Sequence, residues 1–140
     1  MVVEDEEHDV FFLERAMRKA GVKNPLHVAP TGEEAMAYLA GEGKYGDRSL
    51  YPLPSMLFLD LHLPGRSGLE VLTWLRKQPK LDSIIVILLT SSKEVQEIAT
   101  AYELGANSYL VKPPSVDSLM VLMNALNQYE SELGQNEAND

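Results

Sequence analysis

Asp60 stands where the apolar run Met56-Leu57-Phe58-Leu59 gives way to Leu61-His62-Leu63-Pro64-Gly65. A carboxylate at the end of a buried strand is placed to act as a nucleophile or a ligand. Three other apolar runs stop at groups of complementary chemistry: Met1 to Val3 at Glu4-Asp5, Ile84 to Leu89 at Thr90-Ser91, and Tyr109 to Val111 at Lys112-Pro113. If the four strands are parallel, their ends share one edge, where open α/β sheets place their ligands. Carboxylates there suit Mg2+, a hard ion that prefers oxygen. A lysine and a hydroxyl suit the oxygens of a phosphoryl group. Each residue also has a plain reading: Asp60 as a turn residue, Glu4-Asp5 as charges in a first helical turn, Thr90 as the neighbour of a cap, Lys112 as a solvated cation. All four plain readings holding together, in this order and at strand ends, is improbable.

These groups need a scaffold, and helical and strand patterns alternate along the chain as in a parallel sheet covered on both faces. Val10, Leu13, Ala16, Met17 and Ala20 share a helical face that Gly21 closes. Leu26 to Ala29 reads as a short strand. Thr31 with Glu34 is a capping box for a second helix that Gly41 ends, and Ser67 with Glu70 repeats the device before Leu69, Val71, Leu72 and Leu75. Pro79 closes that third helical region. Ser91 with Glu94 opens a fourth helix through Ile98, Ala101 and Leu104 to Gly105. Ser115 opens a fifth, carrying Val116, Leu119, Leu122, Met123 and Leu126. The class is α/β, a doubly wound sheet built from repeated βα units. Residues 41–55, with Gly41, Gly43, Gly46, Pro52, Pro54, Tyr45 and Tyr51, form an insertion too long for an ordinary connection. After Leu133 the chain is polar and aperiodic, so one domain is expected over residues 1–133 and a disordered tail over 134–140.

Composition narrows the function. A chain of 140 residues is of single-domain size. It has no cysteine, which removes disulfides and thiolate metal sites. The net charge of -9 opposes a nucleic-acid-binding surface, which needs clustered Lys and Arg. No apolar stretch approaches membrane-span length, and the first residues are acidic, unlike those of a signal peptide. A cytoplasmic protein is the expectation.

The Glu4-Asp5 pair, Asp60 in its Leu59 to Gly65 setting, Thr90-Ser91 and Lys112-Pro113 resemble, in order and spacing, the receiver domain of two-component response regulators. The resemblance runs from Val2 to about Leu126. It implies a flavodoxin-like (βα)5 three-layer sandwich with sheet order 2-1-3-4-5, acting as a phosphorylatable switch and not as a turnover enzyme. Asp60 would take a phosphoryl group from a phosphohistidine on a sensor kinase, a step that asks for positioning and charge neutralisation more than for a strong nucleophile. Asp5, Asp60 and the backbone carbonyl of His62 would hold Mg2+ directly and Glu4 through water. Lys112 and the Thr90 hydroxyl would each meet a phosphoryl oxygen, and Tyr109 would turn inward as Thr90 moves. The His62 side chain is expected at the rim of the site, where, with Ser92, it would tune the lifetime of the phosphorylated state.

The insertion and the Lys112-Pro113-Pro114 ending look most like single-domain regulators paired with phytochromes, so the kinase expected is of that kind. Phe11, off the buried face of the first helix, is the exposed aromatic expected to meet it. Met120 and Val121 lie off the filled face of the fifth helix, which continues through Tyr129 and Leu133. With Tyr102 and Tyr109 they suggest a homodimer through the fourth helix, fifth strand and fifth helix. Two features depart from the family pattern: a short first strand, and Glu6-Glu7-His8 in place of an asparagine-proline turn. Other classes fit less well. Haloacid-dehalogenase-type phosphatases carry a second aspartate where this chain has His62, and a nucleotide site would need glycines where it has Glu4-Asp5-Glu6-Glu7. A degenerate receiver would not be expected to keep Asp60, Thr90 and Lys112.

Overall fold

The computed structural model describes residues 1–91 and 95–126. The Glu94 half of the fourth-helix capping box, Ser92, Tyr129, Leu133 and the tail 134–140 lie outside the described residues. Five parallel strands, β1 (Val2–Val3), β2 (Val28–Ala29), β3 (Met56–Asp60), β4 (Ile85–Thr90) and β5 (Ser108–Val111), form one sheet in the order β2-β1-β3-β4-β5. Helices α1 (Glu7–Lys19), α2 (Gly32–Ala40), α3 (Gly68–Arg76) and α4 (Val95–Glu103) alternate with them, and α5 covers residues 116–126.

Strand periodicity sorts the side chains into two cores. Leu57 and Leu59 of β3 and Val86 and Leu88 of β4 face α2, α3 and α4, where Leu39, Val71, Leu72, Leu75 and Ala101 fill the layer. Phe58, Ile85, Ile87 and Leu89 face the opposite side, against Leu13, Ala16 and Met17 of α1 and Leu119 of α5. A strand with both faces covered reads as a continuous apolar run, which is why the runs before Asp60 and Thr90 are unbroken.

Local signals set the helix starts. Thr31 Oγ1 accepts the Glu34 N–H at 3.1 Å and Ser67 Oγ accepts that of Glu70 at 3.2 Å. Ser115 Oγ accepts the Ser118 N–H at 3.0 Å before α5. Gly41 ends α2 in the left-handed region, φ 72°, where a Cβ would be strained. The strand expected over Leu26 to Ala29 is paired only at Val28–Ala29, because β1 offers just Val2 and Val3 as partners.

The insertion packs onto α2. The rings of His27, Tyr38, Tyr45 and Tyr51 stack or meet edge-on. The Arg48 guanidinium donates to the carbonyls of Tyr38 at 2.8 Å and Leu39 at 2.9 Å, closing the free end of α2. Among the described residues no helix is long and apolar enough to cross a membrane.

Candidate functional site

Strand ends deliver the site. Asp60 closes β3, Thr90 closes β4, Lys112 follows β5 and Glu4 follows β1, so the parallel order brings them to one edge. Register fixes the spacing: Asp60 pairs with Leu89, and Thr90 with Val111. The Lys112 N–H donates to the Thr90 carbonyl at 2.8 Å, joining those two residues through the main chain. Close packing behind Asp60 comes from Gly68 at the start of α3, where an added Cβ would collide with the Asp60 carbonyl oxygen. The Gly68 N–H donates to the Leu61 carbonyl at 3.1 Å.

Asp60 is 4% exposed, yet both carboxylate oxygens are engaged. Oδ1 accepts the His62 N–H at 3.0 Å and Oδ2 accepts from Lys112 Nζ at 2.9 Å. Lys112 Nζ also lies 2.7 Å from Glu4 Oε2 and 3.2 Å from Asp9 Oδ2. The Glu4 side chain is fully buried, and its Oε1 accepts the Glu6 N–H at 3.2 Å. Burial pushes the Glu4 carboxyl up to about 7, with Lys112 pulling it down and Asp60 pushing it further up. Burial opposes the charge on Lys112, but the carboxylates of Glu4 and Asp60 outweigh it and hold the ammonium above the ordinary lysine value.

Glu4, Asp5 and Asp60 each offer a carboxylate oxygen within 4.8 Å of the others. Such a set of hard donors, negative beyond what one lysine balances, fits a divalent cation of the Mg2+ type. Glu4 Oε2 is buried as an ion-pair partner of Lys112 without a formed hydrogen bond, whereas Asp5 is exposed and the most accessible donor of the set. Thr90 is fully buried at the end of β4. The Tyr109 ring is half-exposed and meets Tyr102 edge-on at 6.4 Å. The His62 side chain is at the rim as expected, with Nε2 3.1 Å from Glu97 Oε2 of α4.

A cleft of about 390 Å3 opens over Asp60 and Lys112, walled by Glu6, Asp9, Phe12, His62, Ser91 and Pro113. Phe11 is exposed, as expected, but it is its neighbour Phe12 that lines the cleft. Phe12 and Asp9 escaped the sequence reading. Both lie in the first half of α1, just after the acidic pair, but Asp9 finds its partner Lys112 at a separation of 103 residues, which no local pattern carries. Met120 and Val121 are exposed on α5, outside the site.

The fold is a doubly wound parallel sheet with three acids, a hydroxyl and a lysine at its carboxyl edge. The sequence profile of the response regulator receiver domain matches residues 1–124, and the chain belongs to that family. It is 30% identical to the response regulator Rcp1 of Synechocystis over 92% of this chain and 86% of that one. A Mn2+-bound structure of Rcp1 superposes with TM-score 0.73 at 30% identity, covering 91% of this chain and 90% of that chain. The phosphorylated cyanobacterial phytochrome regulator RcpA gives 0.76 at 30%, over 91% and 89%. The bacteriophytochrome regulator AtBRR gives 0.77 at 37%, over 90% and 89%. Receiver domains of this kind are signalling proteins phosphorylated by histidine kinases.

Proposed function

We propose that this receiver domain accepts a phosphoryl group on Asp60 from a phosphohistidine of a cytoplasmic sensor kinase of the phytochrome kind. The observation that carries the reading is the convergence of Lys112 on Asp60 and Glu4 beneath an open cleft, with Asp5 completing an acidic set. A carboxylate oxygen of Asp60 bonds to phosphorus while the P–N bond breaks, its electron pair staying on the imidazole. Lys112 neutralises one phosphoryl oxygen, and the Thr90 hydroxyl donates to another. Asp5, Asp60 and the His62 carbonyl would hold Mg2+, with Glu4 reaching it through water. The ion would supply charge neutralisation to the transferring group. Thr90 and Tyr109 then move together as the switch. The exposed pair Phe11 and Phe12 on α1, of which Phe12 lines the cleft, is the anchor offered to the kinase.

Intact mass after incubation with acetyl phosphate tests the reading. One alkali-labile phosphoryl group is expected on the wild type, none on Asp60→Asn, and none in EDTA. Equal labelling of Asp60→Asn, or labelling indifferent to EDTA, would overturn it.

A further inference from the structure

We propose that Asp9 is a latch on Lys112 which the phosphoryl group opens, passing one ammonium hydrogen bond from α1 to the modified Asp60. The inference rests on the phosphoacceptor reading above and adds to it a positioning residue in α1. An ammonium has three N–H donors and no more. Here three carboxylate oxygens surround it, Glu4 Oε2 at 2.7 Å, Asp60 Oδ2 at 2.9 Å and Asp9 Oδ2 at 3.2 Å. Hydrogen bonds run from it to Asp60 and Asp9, with Glu4 as a close ion-pair partner, so a phosphoryl oxygen adds a further acceptor to a crowded ammonium and one contact gives way.

Chemistry decides which one leaves. The Glu4 side chain is fully enclosed, so losing Lys112 would leave a buried carboxyl group without its partner where no water can replace it, a heavy cost. Asp60 bears the new group and stays beside the ammonium. Asp9 has the longest contact and a side chain 30% exposed to the cleft, so water can take over its hydrogen bond. Asp9 also lies outside the acidic set of Glu4, Asp5 and Asp60, so its role is distinct from holding a cation.

Two consequences follow from its position. Before phosphorylation Asp9 holds Lys112 and sets a negative charge on the path of an incoming phosphate, so it restrains the reaction. After the handover the first turn of α1 loses a polar tie to the end of β5. The N-cap residue of that helix, Glu6, makes no side-chain capping bond and is tied through its N–H to Glu4 Oε1, and Phe12 stands one turn beyond Asp9 in the wall of the same cleft.

The test compares wild type with Asp9→Asn at saturating Mg2+. Acetyl phosphate supplies the group, its phosphorus bonding to Asp60 as the bond to the acetate oxygen breaks and acetate leaves with the electron pair. Asp9→Asn is expected to be phosphorylated roughly three- to tenfold faster, the effect of losing one partly exposed charged contact. In wild type the carboxylate carbon resonance of Asp9 is expected to move toward that of a solvated aspartate when beryllofluoride is added, a signal a merely structural residue would not give. An Asp9 resonance that stays put, or an Asp9→Asn rate equal to or below wild type, overturns the latch. Should Asp9→Asn fail to fold, the wild-type resonance decides alone. A wild type that gains no phosphoryl group overturns the phosphoacceptor reading itself, so the two failures are told apart.

Discussion

Glu4 is the residue whose protonation the fold controls most visibly. Its carboxyl is pushed from an ordinary 4.5 up to about 7, burial being the largest cause. Between those values the folded chain holds a proton that the unfolded chain has lost. This contribution to stability therefore falls as pH rises through that window, and it is greatest on the acid side. Cation binding runs the other way, because the acidic set attracts a divalent ion only as the proton departs. Mg2+ affinity, followed by calorimetry, is expected to climb between about pH 6 and pH 8 and to be nearly flat over that range in Glu4→Gln. A wild-type affinity constant across the window would rule out Glu4 as the titrating group. At this scale the sequence was informative where chemistry sat at strand ends. Asp60, Thr90, Lys112 and the acidic pair were legible because each terminates an apolar run. Asp9 was not, since only the folded sheet brings α1 beside the end of β5.

At the scale of elements, the position of Asp60 depends on α3 lying against the strand it ends. Gly68 permits this, because any side chain there would strike the Asp60 carbonyl and crowd the Leu61 Cα at 2.9 Å. Gly68→Ala is expected to lower stability in urea by about 1–3 kcal/mol, the usual cost of overpacking, and to slow labelling of Asp60. Stability and labelling both unchanged would show that α3 shifts without disturbing the site. Helix starts were readable in advance, since Thr31, Ser67 and Ser115 accept the N–H groups that their sequence positions imply. The interior of the insertion was not. Arg48 reaches back to the end of α2 through a loop whose own sequence shows only turn residues and tyrosines.

At the scale of the whole molecule, one share of the exposed apolar surface lies on α4, β5 and α5. Tyr102 of α4, Tyr109 and Val111 of β5, and Met120 and Val121 of α5 are all exposed. The edge-on contact of Tyr102 with Tyr109 makes α4 and β5 one continuous surface. We propose this face as the contact of a homodimer whose packing responds to phosphorylation through Thr90 and Tyr109, a shift that requires different free energies in the two states. Light scattering over a concentration series, with and without beryllofluoride, is expected to show a dimer that Val121→Asp weakens. A strict monomer in both conditions would exclude the dimer, and a dimer indifferent to Val121→Asp would move the contact elsewhere. Two-sided covering was legible from the alternating runs, because a parallel sheet must be buried on both faces, whereas the strand order came only from the family resemblance and is the one the sheet adopts.

The bond from the Lys112 N–H to the Thr90 carbonyl has an evolutionary consequence. The two groups that would grip a phosphoryl oxygen each are joined by strand pairing, Thr90 lying opposite Val111 and bonded through its carbonyl to Lys112. Lineages are therefore free to recharge the exposed face of α4, and so to change what the surface recognises, without retuning the chemistry at the sheet edge. Substitutions on the exposed face of α4 should be inherited readily, whereas a single-residue slip between β4 and β5 should be eliminated at once.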